Sequence, residues 1–190
     1  MRSHFITALV YLTAAFLVVW SPMLSFGGSI PGAQGTDAWN ALWELNHWAM
    51  ALGDGQVPWL TNAINYPEGG RLMVSDPLGA TIVSPVVLLF GPSVGMTVLA
   101  WLHIAFSGWA THRFAAEFLV WRRGAGSVGW GPWVSGMAML SAPVMVSHLH
   151  NGSTEGLSVG WTVLAIWMAW RSASEPSPKR LLLASLALPL

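Results

Sequence analysis

The sequence predicts an all-α fold, a polytopic transmembrane helical bundle with an outer-face amphipathic helix after the first span. Hydrophobic residues make up 54% of the 190 residues and charged residues only 8%, against ~25% charged in an average soluble domain. Several apolar runs approach the ~20 residues that cross a ~30 Å hydrocarbon core. The basic residues gather in alternate loops between these runs, as they do in inner-membrane proteins.

The apolar runs predict spans at about residues 5–24, 94–111, 128–146 and 157–170. The first run follows Arg2, and a cleaved secretory signal is its alternative interpretation, although no clean A-x-A site follows. The fourth run is short unless its helix begins near Ser153. A further apolar run from residue 181 predicts the start of a fifth span, so we expect the chain to be the N-terminal piece of a larger membrane domain.

Two further elements are predicted between the first and second spans. Residues 36–51 form an outer helix in the loop after the first span. Residues 78–90 are apolar but too short to cross a bilayer, and they contain Pro85, which interrupts a regular helix. This second segment therefore predicts a re-entrant or interfacial half-helix, or the kinked start of one long helix that continues into residues 94–111.

The distribution of charge orients the chain with its N-terminus in the cytoplasm. This orientation leaves Arg71 as the only Lys or Arg outside and seven inside, namely Arg2, Arg113, Arg122, Arg123, Arg171, Lys179 and Arg180. The outer acids are then Asp37, Glu44, Asp54, Glu68, Asp76 and Glu155. We therefore expect an integral membrane protein whose chemistry lies on the acidic outer face.

The outer helix carries a polar stripe. At ~100° per residue, Asp37, Asn40, Glu44 and His47 fall within about a quarter of the circumference. Trp48 interrupts this pattern because it projects near the stripe, so a plain amphipathic helix on the membrane surface is the alternative. Asp37 is the leading catalytic candidate, although a carboxylate in a first helical turn after the N-cap candidate Thr36 is also simply a favourable helix start.

Two other outer segments supply auxiliary polar candidates. Arg71 and Asp76 lie in "NAINYPEGGRLMVSDPLG", where Asp76 precedes a proline and also suits a turn. His148, His150 and Glu155 lie in "SHLHNGSTEG" between the third and fourth spans. Because all three outer segments are at membrane ends, we expect helix packing to gather them around one cavity.

Several classes of function are excluded or disfavoured by composition. The chain has no cysteine, which excludes a disulfide framework and a thiolate metal site. Its eight basic residues form no dense patch, so no nucleic acid is expected as a partner. His148 and His150 would share one side of an extended segment and bind a divalent metal together with an acid, but they would diverge by ~200° on a helix.

In its order of segments, the chain resembles the N-terminal part of a GT-C-type multi-pass membrane glycosyltransferase and is similar to bacterial members of that superfamily. The segments that carry the resemblance are "GTDAWN", "ALWELNHWAMALGDGQVPW", "NYPEGG", "SDPLGATIVSP" and "SAPVMVSHLHNGSTEG". Together they extend over nearly the whole chain, although each motif is short.

The resemblance implies transfer of a sugar from a polyprenyl-phosphate donor to an acceptor on the outer face. By position, Asp37 corresponds to the acidic residue of the first outer loop, with the role of general base or of orienting the acceptor or a metal. Asp37 is followed by Ala38, and the Asp-x-Asp pattern of some branches is absent, so no motif supports a divalent metal. Arg71 is the candidate for the donor phosphate, and the implied partners are a lipid-linked sugar and membrane lipids.

Two other classes of protein share parts of this pattern. A polytopic transporter subunit also has broken helices, but its functional polar residues are expected near the bilayer midplane. A non-catalytic membrane assembly protein would retain its function when Asp37 is replaced.

Overall fold

The computed structural model describes residues 2–33, 37–64, 67–71, 76–124 and 129–174. These residues are mostly helical, which confirms the helical part of the predicted fold class. The predicted fifth span from residue 181 lies outside the described residues. The helices are α1 (Arg2–Val18), α2 (Trp20–Leu24), α3 (Ala38–Gly53), α4 (Pro77–Phe90), α5 (Pro92–Arg123), α6 (Gly131–Leu140), α7 (Pro143–Asn151), α8 (Thr154–Leu157) and α9 (Val159–Ser174).

The observed helices break and end at other residues than the predicted spans do. The first span is divided at Val19 into α1 and α2. The third is divided between α6 and α7, and α7 begins at Pro143, whose missing N–H is tolerated in a first turn. The fourth corresponds to α9, whereas the second corresponds to α5, which at 32 residues is far longer than predicted.

Among the described residues, α5 is the one helix long and apolar enough to cross a membrane. Its most apolar 18-residue window is 67% buried inside the protein, so α5 is also a packing element. Helix α4 is apolar but has only 14 residues, or ~21 Å at 1.5 Å per residue. A mostly helical fold with one helix of spanning length is thus established, and the polytopic bundle stays a prediction.

The chain forms two compact units. The aromatic unit comprises Met1–Ala15, Leu102–Met145 and Leu157–Leu190, and the acidic unit comprises Phe16–Trp101 and Val146–Gly156. The acidic unit also contains a two-residue antiparallel ladder between strands β1 (Leu60–Thr61) and β2 (Gly70–Arg71), which the all-α prediction omits.

Helices α3 and α4 pack against each other in the acidic unit. The indole Nε1 of Trp48 donates a hydrogen bond to Thr81 Oγ1 at 3.0 Å. Helix α4 ends at Gly91, whose φ of +89° a glycine adopts without strain. The chain then folds back, because α5 contacts α4 both where Gly95 meets Val87 and where Leu99 meets Gly79. Residues 78–90 are therefore a separate helix and not the start of one long helix.

The core of the aromatic unit is built around the fully buried Tyr11. The Tyr11 hydroxyl and His112 Nδ1 are 3.1 Å apart and share a hydrogen bond. A Cβ at Gly108 or Gly136 would collide with the Tyr11 ring or hydroxyl, so the two glycines make room for this side chain. Ser107 Oγ accepts a hydrogen bond from Gly160 N at 2.8 Å and thereby ties α5 to the start of α9.

Candidate functional site

All the predicted site residues lie in the acidic unit, which gathers three segments that are distant in sequence. They are Asp37, Glu44 and His47 in the α3 segment, Arg71 and Asp76 before α4, and His148, His150 and Glu155 in α7 and α8. The side chain of Glu155 lies outside the described part of the structure. Whether these residues act together in catalysis stays a prediction, but their placement in one unit is a structural fact.

Helix α3 presents three faces. One face packs into the unit through Ala38, Leu45, Trp48 and Ala49, which are all buried. A second face is apolar and exposed, with Trp39, Trp43 and Met50 between 40% and 64% accessible. The polar stripe lies on the third side, and Trp48 does not interrupt it because this indole is buried against α4. One side of α3 is packed on α4, and its placement on a membrane surface stays a prediction.

Asp37 is exposed at the start of the polar stripe. It is the N-cap residue of α3, but its side chain makes no capping hydrogen bond. The helix thus begins at Ala38, two residues later than predicted, and Thr36 lies outside the described residues. The carboxylate makes no capping hydrogen bond, and its favourable interaction with the helix dipole remains the structural alternative to a functional role.

Glu44 and Asp76 line one small cavity together with Thr154. The cavity measures about 10 Å³, which holds a single water molecule and not a sugar. Each of the three polar segments therefore contributes one residue to the lining of this cavity. Because it is so small, this cavity is a packing gap beneath the polar stripe and not a substrate pocket.

Asp76 also has a structural role. Its Oδ1 accepts a hydrogen bond from Gly79 N at 2.9 Å, so Asp76 caps α4 with Pro77 in the first helical position. This is the arrangement expected of an aspartate before a proline that starts a helix. The sequence therefore predicts a local structural role for Asp76, but that role is the cap of a helix and not the start of a turn.

A glycine junction brings the segment before Asp37 against the end of α7. A Cβ on Gly152 would lie 2.5 Å from the Ala38 Cβ, and one on Gly32 would lie 3.2 Å from the Gly152 Cα. The junction is closed by a backbone hydrogen bond of 2.7 Å from Ala33 N to His150 O. Sequence patterns do not single out these glycines, since the close approach joins segments more than 100 residues apart.

The acidic unit contains a larger groove beside this junction. Its volume is about 350 Å³, and its walls are Val18, Val19, Pro22, Ile30, Pro31, Gly32, Val146, Leu149 and His150. The walls are mainly apolar, and His150 is their titratable side chain. Because Gly32 also touches Ala38, this wall of the groove is adjacent to the residue after Asp37.

His148 and His150 lie in helix α7 and not in an extended loop. Residues two apart on a helix diverge by ~200°, and accordingly His150 is exposed while His148 is half-buried against Gly156. The extended arrangement that would let both imidazoles bind one metal is therefore wrong. Among the described residues, no group of three or more His, Asp and Glu side chains is arranged to hold a metal ion.

Two imidazole nitrogens in this unit are buried without a hydrogen-bond partner among the described residues. They are Nε2 of His47, whose ring stacks on Trp43, and Nδ1 of His148. A buried polar atom without a partner costs ~1–3 kcal/mol. Arg71, the candidate for the donor phosphate, is exposed at the end of strand β2 opposite Leu60.

Comparisons with protein-family models, with curated proteins and with solved structures give no match to this chain.

Proposed function

We propose that the protein is a membrane glycosyltransferase that transfers a sugar from a polyprenyl-phosphate donor to an acceptor on the outer face of the membrane. The observation that carries the proposal is the apolar groove of the acidic unit, whose wall includes Gly32, and Gly32 packs against Ala38, the residue after the exposed Asp37. A lipid-phosphate donor needs this combination, an apolar surface for its chain and a polar end for its reactive group.

Exposed apolar side chains support the membrane setting of the proposal. Phe5, Leu9 and Leu17 of α1 are each more than half accessible, as are Leu89 and Phe90 of α4. Large apolar side chains exposed in this way are unfavourable in water and suit contact with lipid or another protein. With α5 as a helix of spanning length, these faces fit a chain that is embedded in a bilayer as a polytopic bundle.

A second groove adds apolar surface for the lipid chain. It has a volume of about 280 Å³ between α2, α4 and α5. Its one polar side chain, Thr97, already donates its hydroxyl to Ser93 O at 3.0 Å. The groove therefore offers no polar group without a partner to a bound molecule, which suits a hydrocarbon chain.

Asp37 acts as the general base in the proposed reaction. Its carboxylate accepts the proton of the acceptor hydroxyl while that oxygen bonds to the anomeric carbon of the donor. The bond from that carbon to the phosphate oxygen breaks, and polyprenyl phosphate leaves with the electron pair. Arg71 stabilises negative charge on the phosphate in this scheme, and Glu44 and Asp76 support the polar stripe from below.

The two buried imidazole nitrogens suit a substrate rich in hydroxyl groups. Each neutral imidazole has one donor nitrogen and one acceptor nitrogen. Both nitrogens are buried, so a role for either histidine in binding the acceptor requires its ring to turn towards the polar stripe when the substrate binds.

The test is transfer activity of the full-length protein in membranes supplied with a panel of polyprenyl-phosphate sugars. Asp37→Asn removes the base while keeping the size of the side chain, and we expect it to lower transfer by about 10²- to 10⁴-fold. The matched control is Asp54→Asn, because Asp54 is an exposed carboxylate at the opposite end of the same helix. This control should retain native transfer at equal expression.

Undiminished transfer by Asp37→Asn would remove Asp37 from the role of base. Equal losses in both variants would indicate an effect of surface charge and not of a catalytic group. Absence of transfer with every donor would favour the transporter or assembly functions.

The transporter alternative has one structural observation in its favour, the interruption of the predicted third span at residues 141–142 between α6 and α7. Interrupted helices form the binding sites of many secondary transporters. The transfer assay separates the two functions, because a transporter would move its substrate without cleaving a glycosyl phosphate bond.

A further inference from the structure

A second polar cluster lies in the aromatic unit, between α5 and α9. Glu117 Oε2 accepts a hydrogen bond of 2.9 Å from Trp167 Nε1 and lies 3.3 Å from Arg171 Nε. Arg113 Nη2 lies 3.7 Å from the other carboxylate oxygen, one helical turn earlier on α5. We call Arg113, Glu117, Trp167 and Arg171 the arginine cluster.

The indole of Trp167 also positions the two guanidinium groups. The Cζ atoms of Arg113 and Arg171 lie 5.9 and 5.7 Å from the centre of its ring, within the range of a cation–π contact. Trp167 is only 6% exposed, so this platform is fixed in the core of the unit. The two guanidinium groups are consequently held in place before any ligand binds.

The charge of the cluster is not balanced. One carboxylate faces two guanidinium groups, so a net positive charge remains. The side chains of Arg113 and Arg171 are 24% and 36% accessible, which leaves them within reach of a ligand. Each guanidinium carries five N–H donors in a planar fork, and the contacts with Glu117 use only part of them. Such a fork matches the oxygen atoms of a phosphate.

Aromatic side chains beside the cluster are arranged as they are at a membrane interface. Trp170 of α9 packs edge-on against Phe114, Phe118 and Trp121 of α5, with ring centres 5.8 to 6.0 Å apart. Trp121, a large and amphipathic side chain, is 59% exposed. Tryptophan is enriched at the depth of lipid headgroups, and Arg122 and Arg123 follow directly at the end of α5.

We propose that the arginine cluster binds the headgroup phosphate of an anionic phospholipid of the inner leaflet. Charge complementarity and the adjoining aromatic side chains point to this ligand, since basic pockets between membrane helices bind such headgroups on the cytoplasmic side. The phosphate binds the outward donors of Arg113 and Arg171 while the acyl chains lie along the apolar surface of α5. The proposal rests on the membrane setting of the proposed function but on no part of the transfer reaction.

The test uses the full-length protein in nanodiscs that contain phosphatidylcholine and increasing fractions of phosphatidylglycerol. Lipid that stays bound on release from the nanodisc is counted by native mass spectrometry. The double variant Arg113→Gln with Arg171→Gln should bind phosphatidylglycerol at least about tenfold more weakly, since it loses charge-assisted hydrogen bonds to the headgroup phosphate that are each worth about tenfold or more. The control Arg122→Gln with Arg123→Gln removes the same number of charges from the exposed end of α5 and should lose no more than about threefold, because exposed charges are screened by salt.

A milder variant guards against misfolding of the double substitution. Arg171→Lys keeps the charge but lacks the planar fork, and it should weaken phosphatidylglycerol binding severalfold. Millimolar inorganic phosphate should fail to displace the lipid. Displacement by inorganic phosphate would overturn the lipid assignment in favour of a site for soluble phosphate.

Equal losses in the cluster variant and in the control would also overturn the proposal, because they would show a diffuse attraction and no discrete site. Alkaline carbonate extraction of native membranes separates these failures from failure of the proposed function. Extraction of the protein by carbonate would contradict the membrane setting on which the proposed function and the lipid site both rest. An integral protein that shows no preference for phosphatidylglycerol would contradict the lipid site alone.

Discussion

Asp76 has two roles that one substitution can separate. Its carboxylate caps α4 by accepting the hydrogen bond from Gly79 N, and it also lines the cavity shared with Glu44. Asparagine is as good an N-cap as aspartate but carries no charge, whereas alanine lacks both the cap and the charge.

We expect Asp76→Asn to leave the free energy of unfolding nearly unchanged and Asp76→Ala to lower it by ~1 kcal/mol. If the charge of Asp76 supports the polar stripe, transfer activity should fall in both variants. Thermal unfolding in detergent, together with the transfer assay, measures the two effects. Native transfer by Asp76→Asn would limit Asp76 to the capping of α4.

At the scale of single residues, the sequence predicts which residues share one side of a helix better than it predicts which residues of different helices are in contact. The polar stripe of α3 was predictable because helical periodicity fixes which residues share a side. The environment of Trp48 was not, since its burial depends on Thr81 in another helix. The histidine pair was misjudged for a local reason, because "HLH" suits a loop or a helix and only the helix separates the two rings.

At the scale of elements, the glycine junction packs Gly32 and Ala38 of the acidic unit against Gly152 at the end of α7. Gly152 has a φ of +70°, and a Cβ there would collide with Ala38. Gly55 has a similar φ of +67° but nothing within 4 Å of its Cβ position. Substitutions at Gly55 and Gly152 therefore separate the free-energy cost of backbone strain from that of a steric collision.

We expect Gly55→Ala to lower the free energy of unfolding by ~1–2 kcal/mol, from the left-handed backbone alone. Gly152→Ala should lower it by a further ~1–3 kcal/mol, because Ala38 or the loop at Pro31 must shift. Thermal unfolding followed by tryptophan fluorescence measures the difference between the variants. Equal losses would mean that the junction tolerates a methyl group and does not hold the segments in contact.

The lengths of the elements were only partly predictable. Residues 78–90 were correctly expected to be helical and short, but whether they continued into the next helix depended on Gly91, whose positive φ turns the chain back. The outer helix was displaced by only two residues at each end. By contrast, α5 extends about 12 residues beyond its predicted end, because "HRFAAEFLVWRR" lowers the hydropathy without interrupting the helix.

At the scale of the whole molecule, charge and hydropathy describe the chain better than any single motif. The acidic unit contains one of the eight Lys and Arg residues, Arg71, and six of the eight Asp and Glu residues. Among the basic residues of the aromatic unit, Arg122, Arg123 and Arg171 lie in the last turns of α5 and α9. This asymmetry was predictable from sequence, whereas the grooves were not, because their walls come from segments brought together by folding.

The proposed function requires the polar stripe of α3 to face the outside of the membrane, and the charge distribution of the sequence predicts that the end of α9 faces the cytoplasm. The most direct measurement is single-cysteine labelling, since the native chain contains no cysteine. Gln56, just after α3, and Ser174, at the end of α9, are both exposed and suit replacement by cysteine. Each variant is treated in spheroplasts with a maleimide that does not cross membranes, before and after permeabilisation.

We predict that Gln56→Cys is labelled in intact spheroplasts and that Ser174→Cys is labelled only after permeabilisation. That result would place the polar stripe on the side where lipid-linked sugars are used by enzymes of the proposed class. Labelling of Ser174→Cys in intact spheroplasts, with Gln56→Cys protected, would reverse the orientation. Equal labelling of both residues before permeabilisation would contradict a bilayer between them.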